Sequence, residues 1–227
     1  MESKNTLKLK DFDLFVFDWD GTLAVEPLLR RLNKRLNPIW IIKKFRARKL
    51  ALSKEKEGRK RETEKYIYRK GIYNDIKQTR NRFEVRTSEL LLLLLKPRLR
   101  EGASELLSKL ARENKTIILI TDGVLYRVYR EVTELGVLDY FEVILSLGAI
   151  GRLKPDPLGM KLILKTFNVE KDRSIYIGDM SDDILFAKYA GVKSCAVAGG
   201  FDSFEHLSSL RPDYMFRSIK ELKKSVR

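Results

Sequence analysis

The chain has one cysteine, Cys195, and one histidine, His206. A single cysteine cannot form an intrachain disulfide or a multi-cysteine zinc site. A single histidine excludes catalysis by a histidine pair and any histidine-rich metal centre. Long apolar runs are missing too. The longest leucine run, Leu90 to Leu95, is six residues, far short of the roughly 20 that span a bilayer. Met1 to Lys10 carries no apolar stretch of the signal-peptide type. A soluble, cytoplasmic and reduced protein is therefore expected. What is present suffices for a core: 227 residues, 44% hydrophobic and 10% aromatic, fit one large domain or a core with a smaller module, and exclude disorder of the whole chain.

Acidic residues are scarce in one region only. Residues 26–100 hold 24 Lys and Arg against 8 Asp and Glu, a net of +16, so the remainder sits near −1 of the total +15. Such asymmetry points to an anionic partner for that segment or to a solvated basic helical module.

The hydrophobic rhythm changes at the same boundaries. Asp11 to Asp18 (DFDLFVFD) has the pattern of a buried parallel strand. From Pro27 to Pro97 no comparable strand is expected. Leu28, Leu29, Leu32 and Leu36 form one helical stripe, Ile41, Ile42 and Phe45 another, and Ser88 suits the cap of a leucine-rich helix ending at Pro97. Beyond Pro97, strands at Thr116–Thr121, Phe141–Leu145, Ser174–Ile177, Ser194–Val197 and Asp213–Phe216 alternate with helices at Ala103–Arg112, Val124–Leu135, Leu158–Phe167 and Ile184–Tyr189. This alternation predicts an α/β fold: a Rossmann-like parallel sheet with helices on both faces, formed by residues 1–25 and 98–227, and a small helical cap formed by residues 26–97.

In such sheets ligands bind beyond the carboxyl ends of the strands. Asp18-Trp19-Asp20-Gly21-Thr22 follows the first strand, and Thr121-Asp122-Gly123 ends the second. Lys154-Pro155-Asp156-Pro157 follows the third, and Gly178-Asp179-Met180-Ser181-Asp182-Asp183 ends the fourth. Five or six carboxylates, a lysine and a threonine hydroxyl are thus expected at one sheet edge. So many like charges need a cation, and hard oxygen ligands suit Mg²⁺. Taken singly, each residue has a plainer use: an Asx turn at Asp18 and Asp20, helix capping by Thr121, Asp179 and Asp183, a solvated Lys154.

The four segments in this order resemble the motifs of the haloacid dehalogenase-like hydrolases, specifically the phosphatase branch with a helical cap between the first two motifs, such as phosphoglycolate phosphatases. DxDGT stands at Asp18 to Thr22, a hydrophobic strand ending in Thr at Ile117 to Thr121, KPxP at Lys154 to Pro157, and GDxxxD at Gly178 to Asp183 with AxxAG at Ala187 to Gly191. The resemblance implies hydrolysis of a phosphate monoester through an aspartyl-phosphate. Asp18 would be the nucleophile and Asp20 the general acid and base. Mg²⁺ would be held by Asp18, Asp179 and the Asp20 carbonyl with support from Asp183. Thr121, Asp122, Gly123 and Lys154 would bind the phosphoryl group. Where the family often has Asn after the motif-two Thr, this chain has Asp122, an added negative charge. The strongly basic insert is a second departure.

A small phosphorylated metabolite is the expected substrate. The basic insert leaves open a nucleic-acid- or anionic-lipid-binding module on the same core, and a sugar phosphomutase shares both motif-one aspartates.

Overall fold

The computed structural model describes residues 6–25, 67–69, 96–148 and 151–227. The expected insert helices of residues 28–45 and 88–97 lie almost wholly outside the described residues, as do most of the basic positions of that region.

The first strand, β1 (Leu14–Phe17), is followed by two short strands, β2 (Ala24–Val25) and β3 (Ile67–Arg69). After β4 (Arg98–Leu99), helix and strand alternate: α1 (Ala103–Arg112), β5 (Thr116–Thr121), α2 (Leu125–Glu134), β6 (Val143–Ser146), α3 (Leu158–Phe167), β7 (Ser174–Gly178), α4 (Ser181–Ala190), β8 (Lys193–Val197), α5 (Phe204–Ser209), β9 (Tyr214–Phe216) and α6 (Ile219–Ser225). The large sheet runs β3-β6-β5-β1-β7-β8-β9. All its neighbouring pairs are parallel except β3 with β6, which is antiparallel.

Period-two alternation sorts the strand side chains to two faces. Phe15, Phe17, Ile117, Leu119, Ile175 and Ile177 share one cluster with Leu106 and Leu110 of α1, Val128 and Val132 of α2, and Ile219 and Leu222 of α6. Leu14, Val16, Ile118, Ile120 and Tyr176 share the other with Met160 and Ile163 of α3 and Phe186 and Ala187 of α4. Helices therefore cover both faces, as the alternation predicts. The central strands read as unbroken apolar runs because neither face meets water.

Two local expectations change, and one pairing is new. Ile67–Arg69, inside the segment where no strand is expected, pairs with the outer edge of β6. Three residues are too few to show a period, and an available sheet edge supplies what the local sequence does not signal. The helix expected from Ile184 begins three residues earlier, so Asp182 and Asp183 fall in the first turn of α4, where carboxylates complement the helix dipole. Finally, β2 and β4 form a two-stranded antiparallel ribbon, with Ala24 facing Leu99 and Val25 facing Arg98. The chain thus leaves and re-enters the core side by side, a few residues past Asp18. Arg100 fastens this ribbon: its guanidinium donates to the Gly21 carbonyl at 2.6 Å and to the Ala198 carbonyl at 3.2 Å.

Candidate active site

Asp18 is the first residue beyond β1, between two strands that run past it on either side. Its N–H still donates to the Ile177 carbonyl at 2.9 Å, so the nucleophile candidate is held by sheet geometry while its side chain turns out of the ladder. Its carboxylate is buried with those of Asp179 and Asp183, and one oxygen from each lies within 4.8 Å of the others. Lys154 reaches into this group, its Nζ donating to Asp18 Oδ1 and Asp183 Oδ1 at 2.6 Å each. The Tyr176 hydroxyl, on the same strand face beneath the site, lies 3.2 Å from Nζ and donates to the Ile120 carbonyl.

Each carboxylate is fixed by its own donors. Asp183 Oδ2 accepts the N–H groups of Asp179 (3.1 Å) and Met180 (2.9 Å), closing the entry of α4. Asp179 Oδ1 accepts the Thr22 hydroxyl at 2.8 Å, and its Oδ2 accepts the Phe201 N–H at 2.5 Å. Burial, then Asp183, push the Asp179 carboxyl up to about 7. Burial and the neighbouring carboxylates raise Asp18 as well, Lys154 opposing them. For Lys154, burial works against the charged form, but Asp18 and Asp183 outweigh it and hold the ammonium protonated. Three buried carboxyl groups facing one ammonium are costly to ionise together without a second cation, which is why Asp18 and Asp179 are raised. A divalent cation bound by carboxylate oxygens fits that need and that donor chemistry.

The remaining predicted residues do not all join the cluster. Asp122 turns its Oδ1 to the backbone N–H of Lys154 at 3.0 Å, so its charge steadies the loop that delivers the lysine. Thr121 Oγ1 accepts the Gly123 N–H at 3.0 Å, which leaves its hydroxyl proton to be donated elsewhere. The Gly123 carbonyl in turn accepts the Ser146 hydroxyl at 2.5 Å. Asp156 pairs with Arg152 and caps the Leu158 N–H instead of entering the site. Asp182 is buried but outside the three-carboxylate group. Asp20 is gripped by Arg127: Nη1 donates to Oδ1 at 2.8 Å and Nη2 to Oδ2 at 2.5 Å. Five or six carboxylates were expected at one edge; Asp18, Asp179 and Asp183 group together, while Asp20, Asp122 and Asp156 turn to Arg127, the Lys154 N–H and Arg152.

Four participants carry no expectation from the sequence as site residues: Thr22, Arg127, Tyr176 and Arg100. Thr22 lies within the DxDGT segment, so its position was the available signal. Tyr176 lies two residues before Gly178 of the GDxxxD segment, whereas Arg127 and Arg100 meet the motifs through the fold.

Gly21 has φ of +95°, and a Cβ there would overlap the Asp179 carboxylate. Both the backbone and the space demand glycine. Gly21→Ala is expected to cost about 1–3 kcal/mol in urea denaturation and to shrink any rise of melting temperature on adding Mg²⁺, since Asp179 must shift. An unchanged Mg²⁺ response would separate Asp179 from the cation.

The family profile described as haloacid dehalogenase-like hydrolase matches residues 15–197, and the chain belongs to that family. Among curated relatives, pyrophosphatase PpaX of Listeria welshimeri is 29% identical over 127 residues, 56% of this chain and 58% of that protein. The matched part of the chain therefore spans little more than half the length of that relative. A phosphoglycolate phosphatase of Neisseria meningitidis is 26% identical over 221 residues, covering 91% of this chain and 90% of that one. In fold, the chain is similar to a predicted phosphatase from Clostridium acetobutylicum (TM-score 0.64, 19% identity, 94% of this chain and 97% of that one). It is similar as well to CbbY from Rhodobacter sphaeroides in complex with phosphate (TM-score 0.64, 19% identity, 93% and 96%). Among the described residues, no helix is long and apolar enough to cross a membrane.

Proposed function

We propose that this chain is a Mg²⁺-dependent phosphatase that hydrolyses a small phosphorylated metabolite in the cytoplasm through an aspartyl-phosphate on Asp18. The observation that carries this reading is the buried carboxylate of Asp18 at the end of β1, in hydrogen-bond contact with Lys154 and grouped with Asp179 and Asp183. The names of the relatives, a pyrophosphatase and a phosphoglycolate phosphatase, support the substrate class.

Asp18, Asp179 and the Asp20 carbonyl would hold the cation, and Asp183 would fix the Asp179 loop through its two N–H contacts. When bound, Mg²⁺ offsets the repulsion between a carboxylate and a phosphate dianion. Asp18 attacks phosphorus, and the bond from phosphorus to the ester oxygen breaks with its electron pair on the leaving oxygen. Asp20 protonates that oxygen, so an alcohol departs. Water then attacks phosphorus and gives a proton to Asp20. The bond to Asp18 breaks, releasing inorganic phosphate and restoring both carboxyl groups. Throughout, Lys154, the Thr121 hydroxyl and the N–H groups after β5 hold the transferred oxygens and neutralise their charge. The cap of residues 26–97, leaving and returning through the β2–β4 ribbon beside Asp18, would close over the substrate and select it.

Hydrolysis of p-nitrophenyl phosphate tests the reading. Activity is expected to vanish in excess EDTA and to return with excess Mg²⁺. At low temperature, nitrophenolate should appear in a burst matching the enzyme concentration. Full activity without divalent cation would sink the proposal.

A further inference from the structure

Beside the reaction centre lies a second buried polar group. The Arg127 side chain, 7% exposed, grips both oxygens of Asp20, and the same Nη1 donates to Glu131 Oε2 at 2.8 Å. Glu131, fully buried, also accepts the indole N–H of Trp19 at 2.7 Å. The chain of contacts therefore starts and ends in the DxDGT segment and passes through one helix, α2. Asp20 and Glu131 outweigh burial in keeping the guanidinium charged.

We propose that Arg127 is a positioning residue for proton transfer: its two-pronged grip, braced by Glu131 and Trp19, sets the plane and direction in which Asp20 meets the leaving oxygen. This rests on Asp20 being the acid–base group of the reaction above.

A buried ion pair is a poor way to gain stability, since apolar residues of similar volume usually do as well. What a guanidinium adds is geometry. Two parallel N–H···O contacts define a plane, which one ammonium cannot do. The location fits the need. Asp20 lies in the turn after β1, where its backbone makes an isolated bridge to Ala24, whereas the Asp18 N–H still bonds to β7. The start of α2 is also registered to the phosphate-binding end of β5. A Cβ at Gly123 would collide with Arg127 Nη2 and approach Thr121 Oγ1 to 3.2 Å. Gly123 thus lies against both the guanidinium that holds the acid and the hydroxyl assigned to the transferred phosphoryl group, so the two are close neighbours across it. Gly123 keeps that gap clear.

A role confined to Asp20 has a signature that loss of packing lacks. Proton donation matters for an alkyl phosphate and little for 2,4-dinitrophenyl phosphate, whose leaving group departs unprotonated. On kcat/KM, which ends at leaving-group departure and so excludes the water step both esters share, Arg127→Lys is expected to cost the alkyl phosphate about 10–100-fold and the dinitrophenyl ester no more than about threefold. Glu131→Gln, which keeps a hydrogen-bonding group in place, should give a smaller loss of the same selectivity and serves if Arg127→Lys folds poorly. Arg130→Lys, at the exposed Arg130–Glu134 pair of the same helix, is the control. In an Asp20→Asn background Arg127→Lys should cost nothing further on the alkyl ester. Equal losses on both esters, full additivity with Asp20→Asn, or a selective gain in rate would each overturn the proposal. If Asp20→Asn itself shows no selectivity between the esters, the assignment of Asp20 as acid fails. If Asp20→Asn is selective and Arg127→Lys is not, only the role of Arg127 fails.

Discussion

Replacing Asp18 by Asn is expected to lower kcat for any phosphate ester by on the order of 10⁴–10⁶-fold and to abolish the burst, because an amide oxygen is a poor nucleophile. The substitution leaves the shape of the site almost unaltered. Asn can still offer an oxygen to Lys154 Nζ, 2.6 Å from Asp18 Oδ1, and it removes one of three crowded buried carboxyl groups. The melting temperature without Mg²⁺ should therefore stay level or rise. Steady-state kinetics and thermal denaturation on one preparation separate the two effects. Rates near wild type would remove Asp18 from the mechanism, and a large fall in melting temperature would mean that the carboxylate serves the fold.

Lys154→Met should have the opposite profile, damaging stability and activity together. Lys154 is the cation that contacts both Asp18 and Asp183. Methionine fills similar space and leaves those carboxylates buried without it. Removing one partner from a buried ionic group typically costs about 3–5 kcal/mol, which urea denaturation in EDTA would measure. Added Mg²⁺ should recover part of the loss, since an ion that binds only the folded state stabilises it by mass action. Turnover should remain low even then, because the phosphoryl oxygens lose their counter-charge. A variant as stable as wild type in EDTA would contradict the charge balance described for this site.

The elements of the core were legible almost to the residue where the period was strong. The strand Thr116–Thr121 and the helices Ala103–Arg112 and Leu158–Phe167 have the expected bounds, and Asn114 adopts the left-handed conformation its place after α1 calls for. Legibility failed where two local patterns look alike. Helix α2 holds two Arg–Glu pairs at i, i+4. Arg130–Glu134 is an ordinary surface pair, with side chains 36% and 48% exposed, while Arg127–Glu131 is buried at 7% and 0%. Spacing and residue type are identical, and only the apolar stripe of Val124, Val128, Val132 and Leu135, nearer to Arg127–Glu131, sets them apart in the sequence. The buried pair's partner is Asp20, which is 107 positions from Arg127 along the chain. Asp122 is a similar case. An added carboxylate beside a phosphate pocket looks like a liability until Lys154, 32 residues on, turns its N–H to it.

The sequence by itself determined the parallel sheet, the helices on its two faces and the set of polar residues delivered to one edge. Those features follow from local rules: alternation along a strand, an apolar stripe along a helix, turn chemistry at strand ends, and topology that puts every parallel strand's carboxyl end on the same side. Only the tertiary structure decided how the delivered side chains pair. Asp18 meets Lys154 across 136 positions and Thr22 meets Asp179 across 157. Asp20 turns to Arg127, and Ile67–Arg69 finds the edge of β6. A buried carboxylate goes to the donor that reaches it, and that donor is set by how helices and loops from distant parts of the chain pack against the sheet.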